Sequence, residues 1–411
     1  MLAALIITTL VQAMVVVAII APAVGAPVIG AAMALPESAV GLYIALAYLG
    51  AVLSALYSGV PVSRFGPIRA SQGGLLLCAL GLALVATGEL ALGLLGTIVI
   101  GLGYGPITPA SSDILIRTTP PQRLAVVFSI KQTGVPLGGV IAGLVVPPLT
   151  LAIGWQAALL TLAATCTLIA LLSQHVRAQF DAMRDRVRVA SAGPPGSGDP
   201  HRGWRGVLVS LGESMRLVTR HRSLRRLTLC AFVFAGVQLS LTTYLVSYLN
   251  LGLGWSLIAA GGALSATQAA GVVGRIGWGA ASDAGLGARR TLLLLAALMI
   301  ASCLSFGVID ENTPHPLVLL LVILFGASAV GWNGVYLAQI ARVAPRDKVG
   351  LATGASTAFT FMGTVIWAPV FGAIAHASDS HAIAFASFAL PVGACMILLS
   401  RAPGVDRIAS G

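Results

Sequence analysis

What most constrains this chain is a series of apolar stretches, each near the ~20 residues an α-helix needs to cross the hydrocarbon core of a bilayer. They lie at 3–30, 38–62, 70–88, 91–117, 124–149, 155–174, 226–250, 256–281, 291–309, 317–341, 350–375 and 382–400. None alternates polar and apolar residues at every second position, as the strands of a membrane barrel would. With 57% hydrophobic and only 9% charged residues, the composition excludes a soluble globular protein of this size. The expected class is an all-α membrane protein with twelve transmembrane helices, called spans 1 to 12 here in chain order. The first stretch lacks the basic lead of a signal peptide and is too long for its apolar core, so it is read as span 1. Pro22 and Pro27 predict that the outer half of span 1 is bent or broken.

The charges sort by side. Connections after even-numbered spans, with the C-terminal tail, carry 22 of the 24 Lys and Arg, among them Arg64, Arg69, Arg117, Arg123, Arg289, Arg290, Arg342, Arg346 and Lys348. Connections after odd-numbered spans carry none and hold Glu37, Glu89, Asp310, Glu311 and Asp379. Basic loops stay inside, so both termini are expected in the cytoplasm of a multi-pass protein of the cell inner membrane. The net charge of +11 is therefore a topology signal, and no nucleic-acid partner is implied. The domains expected are a six-helix bundle over 1–174, a cytoplasmic linker over 175–225, a second six-helix bundle over 226–401 and a tail over 402–411. Within the linker, Leu208, Leu211, Met215 and Val218 share one face of a basic stretch, the pattern of an amphipathic helix on a lipid surface. A solvated basic loop is the alternative.

Enzyme chemistry finds no foothold. All six histidines lie in connections, and no paired carboxylates or phosphate-cradling loop occur. Cys78, Cys166, Cys230, Cys303 and Cys395 each stand alone in an apolar run, without the spacing of a metal site or disulfide framework. No cofactor is expected.

The two halves repeat. Aligning Pro120 with Pro345 also aligns Arg123 with Lys348, Gly138 with Gly363, and Val140-Ile141 with Val365-Ile366. Earlier in each half, GVPVSRFGPIR at Gly59 answers GAASDAGLGARR at Gly279. Parallel six-helix repeats related by an axis along the membrane normal suit a transporter that rocks around a central site. These motifs resemble those of the major facilitator superfamily, whose loop form is roughly GxxxDRxGRR. The second copy keeps Gly279, Asp283, Gly287, Arg289 and Arg290; the first keeps Gly59, Arg64, Gly66 and Arg69, with Ser63 in place of the aspartate. The resemblance implies a latch between neighbouring helices, with the glycine at the turn permitting close approach. Asp113 is the candidate to supply the missing acid. GLGYGPITPA in span 4 keeps the family's Gly101, Gly103 and Pro109, while Thr97 stands where many proton-linked members carry an arginine.

Only Lys131 and Arg275 place a cation inside a span. Each lies eight residues from a charge at the inner edge, Arg123 and Asp283 respectively, or about 12 Å deep. The resemblance implies that spans 5 and 8 face each other across the cavity, which would set the two cations on opposite walls of an anion site. Arg275, with its following Gly279 and Asp283, is similar to helix 8 of oxalate/formate and monocarboxylate porters, although Gly271 stands where those porters often carry an acid. Gln12, Gln132, Gln238, Tyr244, Gln268, Trp332 and Asn333 are polar residues at matching depth. Gly134 and Gly138 are expected to bring span 5 close to span 8.

The function expected is transport of a small organic anion, a carboxylate, by a monomer, with proton coupling open. Multidrug or metabolite efflux is the alternative, which for cationic drugs needs a buried carboxylate. Lys131 snorkelling to the interface, and Arg275 gating through Asp283 or backbone carbonyls, are the structural alternatives for the two cations.

Overall fold

The computed structural model describes residues 2–36, 38–57, 59–120, 123–177, 180, 216–344 and 349–401. The tail over 402–411, Pro345 and Lys348 lie outside these residues, as do Leu208, Leu211 and Met215 of the expected amphipathic face. The described residues are helical, without strands. Eleven helices among them are long and apolar enough to cross a membrane, and Ala39–Ala55 is a shorter apolar helix in the place of span 2.

Several spans break, and proline chemistry explains most of the breaks. Proline has no N–H to give, and its ring clashes with the carbonyl four residues back. Span 1 divides into Leu2–Val24 and Ala26–Met33 around Pro22 and Pro27, as the sequence predicts. Span 5 divides into Leu124–Gln132 and Gly134–Ile153, with Pro136 four residues after Gln132. Span 12 divides into His381–Ser387 and Ala389–Ser400, with Pro391 four residues after Ser387. Span 4 divides into Leu90–Tyr104 and Ile107–Thr118 at Pro106. Span 10 divides into His315–Ala329 and Asn333–Val343 with no proline at the gap.

The chain forms two compact units. One comprises Met1–Pro22, Leu46–Gly138 and Leu149–Ser210. In it, Ala4, Ile68, Ile114, Leu115, Val127 and Phe180 form a buried apolar cluster joining spans 1, 3, 4 and 5. The GLG of span 4 wedges that helix between two neighbours. A Cβ on Gly101 would lie 1.9 Å from the Ala47 carbonyl oxygen of span 2, and one on Gly103 would lie 2.4 Å from the Gly74 oxygen of span 3.

The other unit comprises Ala23–Ala45, Gly139–Pro148 and Leu211–Gly411. Spans 7 to 12 dominate it, and short segments of spans 1, 2 and 5 pack against them. Ser265 Oγ donates to the Val140 carbonyl at 2.9 Å. A Cβ on Gly139 would meet the Gln268 side chain at 2.3 Å, and one on Gly143 would meet the Gly261 oxygen at 2.5 Å. Span 8 is therefore met by Gly139 and Gly143. Gly134 and Gly138, expected to face span 8, back onto span 1 instead, against Gln12 and against Ala13 and Val16. Which glycine face meets which helix depends on the rotation of span 5 after its break, which glycine spacing does not encode.

The repeat survives in the packing. Gly363, the counterpart of Gly138, lies against the Phe232 backbone of span 7. Span 11 thus approaches span 7 as span 5 approaches span 1.

Close backbone contact of this kind predicts a graded response to added methyl groups. Gly101→Ala should lower the thermal midpoint in detergent, by a destabilisation of about 1–3 kcal/mol typical of overpacking. Gly93→Ala, where an added Cβ meets nothing within 4 Å, should leave the midpoint unchanged or slightly raised.

Candidate functional site

The first polar cluster is built at the break in span 5. Thr133 closes the last turn there, its N–H donating to the Ile130 carbonyl at 3.0 Å and its hydroxyl to the same oxygen at 2.6 Å. Just before the break, Lys131 is 1% exposed and Gln12, on span 1, is 0% exposed. Lys131 Nζ donates to Gln12 Oε1 at 3.0 Å and to Gln132 Oε1 at 3.2 Å. Gln12 Oε1 also accepts from the Thr108 hydroxyl at 3.4 Å. Gln12 Nε2 and Thr9 Oγ1 are buried and have no hydrogen-bond partner among the described residues.

Among the described residues, no carboxylate lies within ion-pair distance of Lys131. A buried cation held only by neutral amides is costly. It is not a requirement of the packing, because the repeat places Ser356 at the matching position. Ser356 Oγ hydrogen-bonds Thr228 Oγ1 of span 7 at 2.9 Å and also Tyr336 OH, all within neutral hydroxyls. Snorkelling does not describe Lys131 either, since its ammonium ends on the buried amide of Gln12 and the half-buried amide of Gln132.

The second cluster sits at the break in span 10. Gln238 Oε1 of span 7 accepts from Trp332 Nε1 at 3.1 Å and from Asn333 Nδ2 at 3.4 Å. Trp332 is wholly buried, edge-on to Phe234 at 5.7 Å. Arg275 Nε donates to the Val330 carbonyl at 3.0 Å, where the same break ends the preceding helix. A cation there meets the negative end of that helix. Trp278 Nε1, one turn further along span 8, donates to the Ala327 carbonyl at 2.9 Å.

Two of the predicted residues lie elsewhere. Tyr244 packs in an aromatic cluster, stacked on Phe371 at 4.4 Å, and its hydroxyl donates to the Ala368 carbonyl at 3.1 Å. Gln268 lies against Gly139, and its Oε1 is buried without a hydrogen-bond partner among the described residues. Sequence reasoning also missed Thr9 and Thr108. Their spacing along spans 1 and 4 gives no signal until the helices are packed.

The loop motifs resolve unevenly. Arg342 pairs with Asp283 at 2.9 Å, and both are well exposed. In the first half, Arg117, at the repeat position of Arg342, pairs with Asp113 one turn back at 2.8 Å. Asp113 thus serves an arginine of its own helix. Arg289 caps span 12, donating to the Leu399 carbonyl at 3.0 Å and to that of Ser400. Arg64 lies over the Phe65 ring at 5.4 Å, while Arg69 and Arg290 are exposed. Gly59 begins the helix Gly59–Phe65. The close approach expected at Gly279 is absent, since an added Cβ there meets nothing within 4 Å. The glycines the turns require are Gly66 and Gly287, with φ of 96° and 76°, which side-chain-bearing residues adopt only at a cost.

The architecture is that of a polytopic helical membrane protein built from two six-helix repeats. The profile of the Major Facilitator Superfamily matches residues 5–368, and the chain belongs to that family. An uncharacterized MFS-type transporter of Mycobacterium tuberculosis (strain CDC 1551 / Oshkosh) is 27% identical over 274 residues, 67% of this chain and 56% of the relative. The chain thus spans little more than half the length of that relative. Among solved structures, the D-xylose–proton symporter matches with a TM-score of 0.74 and 15% identity, covering 98% of both chains. A mutant of the nucleoside transporter NupG matches with a TM-score of 0.75 and 12% identity, over 97% of this chain and 98% of that one. A bacterial homolog of the human lysosomal transporter Spinster, inward-facing and unoccupied, matches with a TM-score of 0.70 and 15% identity, over 97% of this chain and 94% of that one. At these identities the structures establish a shared fold.

A buried charge without a counter-charge predicts a trade of stability against function. Lys131→Met, which keeps the volume and removes the charge, should raise the thermal midpoint of the purified protein. A lowered midpoint would show that the ammonium is compensated in the resting protein.

Proposed function

We propose that this chain is a secondary transporter for a small organic anion, a carboxylate, working by alternating access. The observation that carries this reading is Lys131, 1% exposed and, among the described residues, bonded only to the amide oxygens of Gln12 and Gln132. Such a group calls for an anion, and a transported anion would meet that need only while bound. The unpartnered Gln12 Nε2 and Thr9 Oγ1 add neutral hydrogen-bonding capacity beside the ammonium. Arg275 is the second cation of this reading, with a donor fork suited to carboxylates. Gln238, Trp332 and Asn333 are further candidates for substrate contact, with Gln268 and Tyr244 the weaker ones. The bias of Lys and Arg to the even-numbered connections supports an inner-membrane protein with both termini cytoplasmic. A monomer suffices for such a carrier.

Efflux of lipophilic cations would require an accessible buried carboxylate. The candidate, Asp113, is paired through Oδ1 with Arg117 on its own helix, while its Oδ2 is buried without a hydrogen-bond partner among the described residues; the pairing with Arg117 favours the anion reading. Resistance to lipophilic cations that depended on Asp113 would reverse the preference.

The test is uptake of a carboxylate panel into proteoliposomes. Wild type should take up at least one member, and Lys131→Gln should lose that uptake by tenfold or more, with Arg275→Gln also reduced. Transport undiminished in both variants would exclude this site.

A further inference from the structure

A recess at the basic end of spans 7, 9, 10 and 12 has no part in the transport reading. It holds about 350 Å3 of open space, part of it continuous with solvent. Arg226, Arg289, Gln339 and Ser223 line it, over leucines of spans 7, 9 and 12. All of these residues belong to the second compact unit. Gln339 is 4% exposed, and its amide makes no hydrogen bond among the described residues. A buried amide open to a recess is costly unless something there bonds to it.

The arginines have spare donors as well. Arg226 Nη1 donates to the Arg401 carbonyl at 3.0 Å. Arg289 donates to the Leu399 and Ser400 carbonyls. Each guanidinium has five donors, so most remain unspent. These bonds cap the end of span 12, whose partial charge of roughly −0.5 offsets only part of two cations. Among the described residues, no carboxylate lies within ion-pair distance of either arginine. Ser223 adds a hydroxyl in the first turn of span 7, where backbone N–H groups lack intrahelical partners.

The internal repeat supplies a comparison. The first unit has its own recess, between spans 1, 3, 4 and 6. Gly138 and Gly363 rest on the Ala13 and Phe232 carbonyls, which equates Ile7 with Arg226. Gly66 and Gly287, both at positive φ, equate Ile68 with Arg289. Pro120 and Pro345 equate Ile114 with Gln339. Ile7, Ile68 and Ile114 all line the first recess. Its hydroxyls, Ser71 and Ser111 among them, donate to carbonyls of their own helices. At the matched places the second recess presents spare N–H donors and positive charge instead.

We propose that the second recess is a phosphate-binding site. A tetrahedral oxyanion matches two guanidinium forks, an amide N–H and a hydroxyl. One phosphate there would tie the ends of spans 7, 9 and 10 together. In the orientation proposed above this end is cytoplasmic. A phospholipid headgroup and a free cytoplasmic phosphate present the same group, and the experiment separates them. Neither Lys131 nor the transported substrate takes part.

The experiment follows the thermal midpoint of the purified full-length protein in detergent at constant ionic strength. Inorganic phosphate and dioleoylphosphatidylglycerol are titrated separately, with dioleoylglycerol as the lipid that lacks the phosphate. Expected is a saturable rise with at least one of the two phosphates and none with dioleoylglycerol. The half-saturating concentration should increase tenfold or more in Arg226→Gln and in Gln339→Leu. It should change less than twofold in Arg290→Gln, which removes an exposed neighbouring charge. Gln339→Leu removes no charge, so a diffuse attraction of the basic surface for anions would not register it. A rise with phosphatidylglycerol alone assigns the site to lipid, and a rise with inorganic phosphate shows that the free group suffices. No saturable rise with either probe would overturn the proposal, as would a rise matched by dioleoylglycerol. Unchanged affinity in Gln339→Leu, or an Arg290→Gln as weak as Arg226→Gln, would overturn it too. Should Arg226→Gln fail to fold, Gln339→Leu decides, since an aliphatic residue already fills the equivalent place at Ile114.

Discussion

Hydrocarbon gives a backbone carbonyl nothing to bond to, so a spanning helix must satisfy its own hydrogen bonds wherever it meets lipid. An interruption is tolerated only where protein side chains stand in for the missing turn. In two of the spans, 5 and 10, the interruption coincides with functional candidates. The break after Gln132 orients Lys131 and Gln132 toward Gln12 of span 1. The break between Ala329 and Asn333 exposes the Val330 carbonyl to Arg275 and turns Trp332 and Asn333 toward Gln238. Each of these two breaks does two jobs, ending a helix and presenting a polar group at membrane depth.

The internal repeat gives the comparison that a single site lacks. Lys131 and Ser356 occupy equivalent positions, on spans that approach spans 1 and 7 through equivalent glycines. One position is filled by a charge and the other by a small hydroxyl, and span 5 breaks just after the lysine whereas span 11, Val349–Ser378, runs on through Ser356. At the equivalent place in the second half a neutral residue suffices. The same asymmetry marks the loop arginines. Arg342 finds its acid in the loop, at Asp283, and Arg117 finds its acid on its own helix, at Asp113. The acid that the first loop lacks at position 63 is present one helix away, and position 338 of the second half is an alanine.

Much of this was legible in the sequence because lipid enforces it. Apolar length gave the spans and proline gave the bend in span 1. The two intramembrane cations stood out against an uncharged background. The breaks in spans 5 and 12 are also written there, in Pro136 and Pro391 four residues after the last helical residue. Other features were not available from one chain. The rotation that turns Gly134 and Gly138 to span 1, and Gly139 and Gly143 to span 8, is set by packing between helices far apart in sequence. Tyr244 reads as a cavity residue in the sequence because it is a polar residue at matching depth. Its neighbours Phe371 and His381 come from span 11 and the start of span 12, and only folding reveals that they flank it.

The central claim is that an anion completes the charge balance of Lys131. The most direct measurement is a thermal-shift screen of the purified protein against carboxylates, sugars, nucleosides and lipophilic cations, since a ligand that binds the native state raises its apparent stability. The account predicts a concentration-dependent rise with a carboxylate and no rise in Lys131→Gln. Stabilisation by a neutral or cationic compound, equal in wild type and Lys131→Gln, with none by any carboxylate, would contradict it.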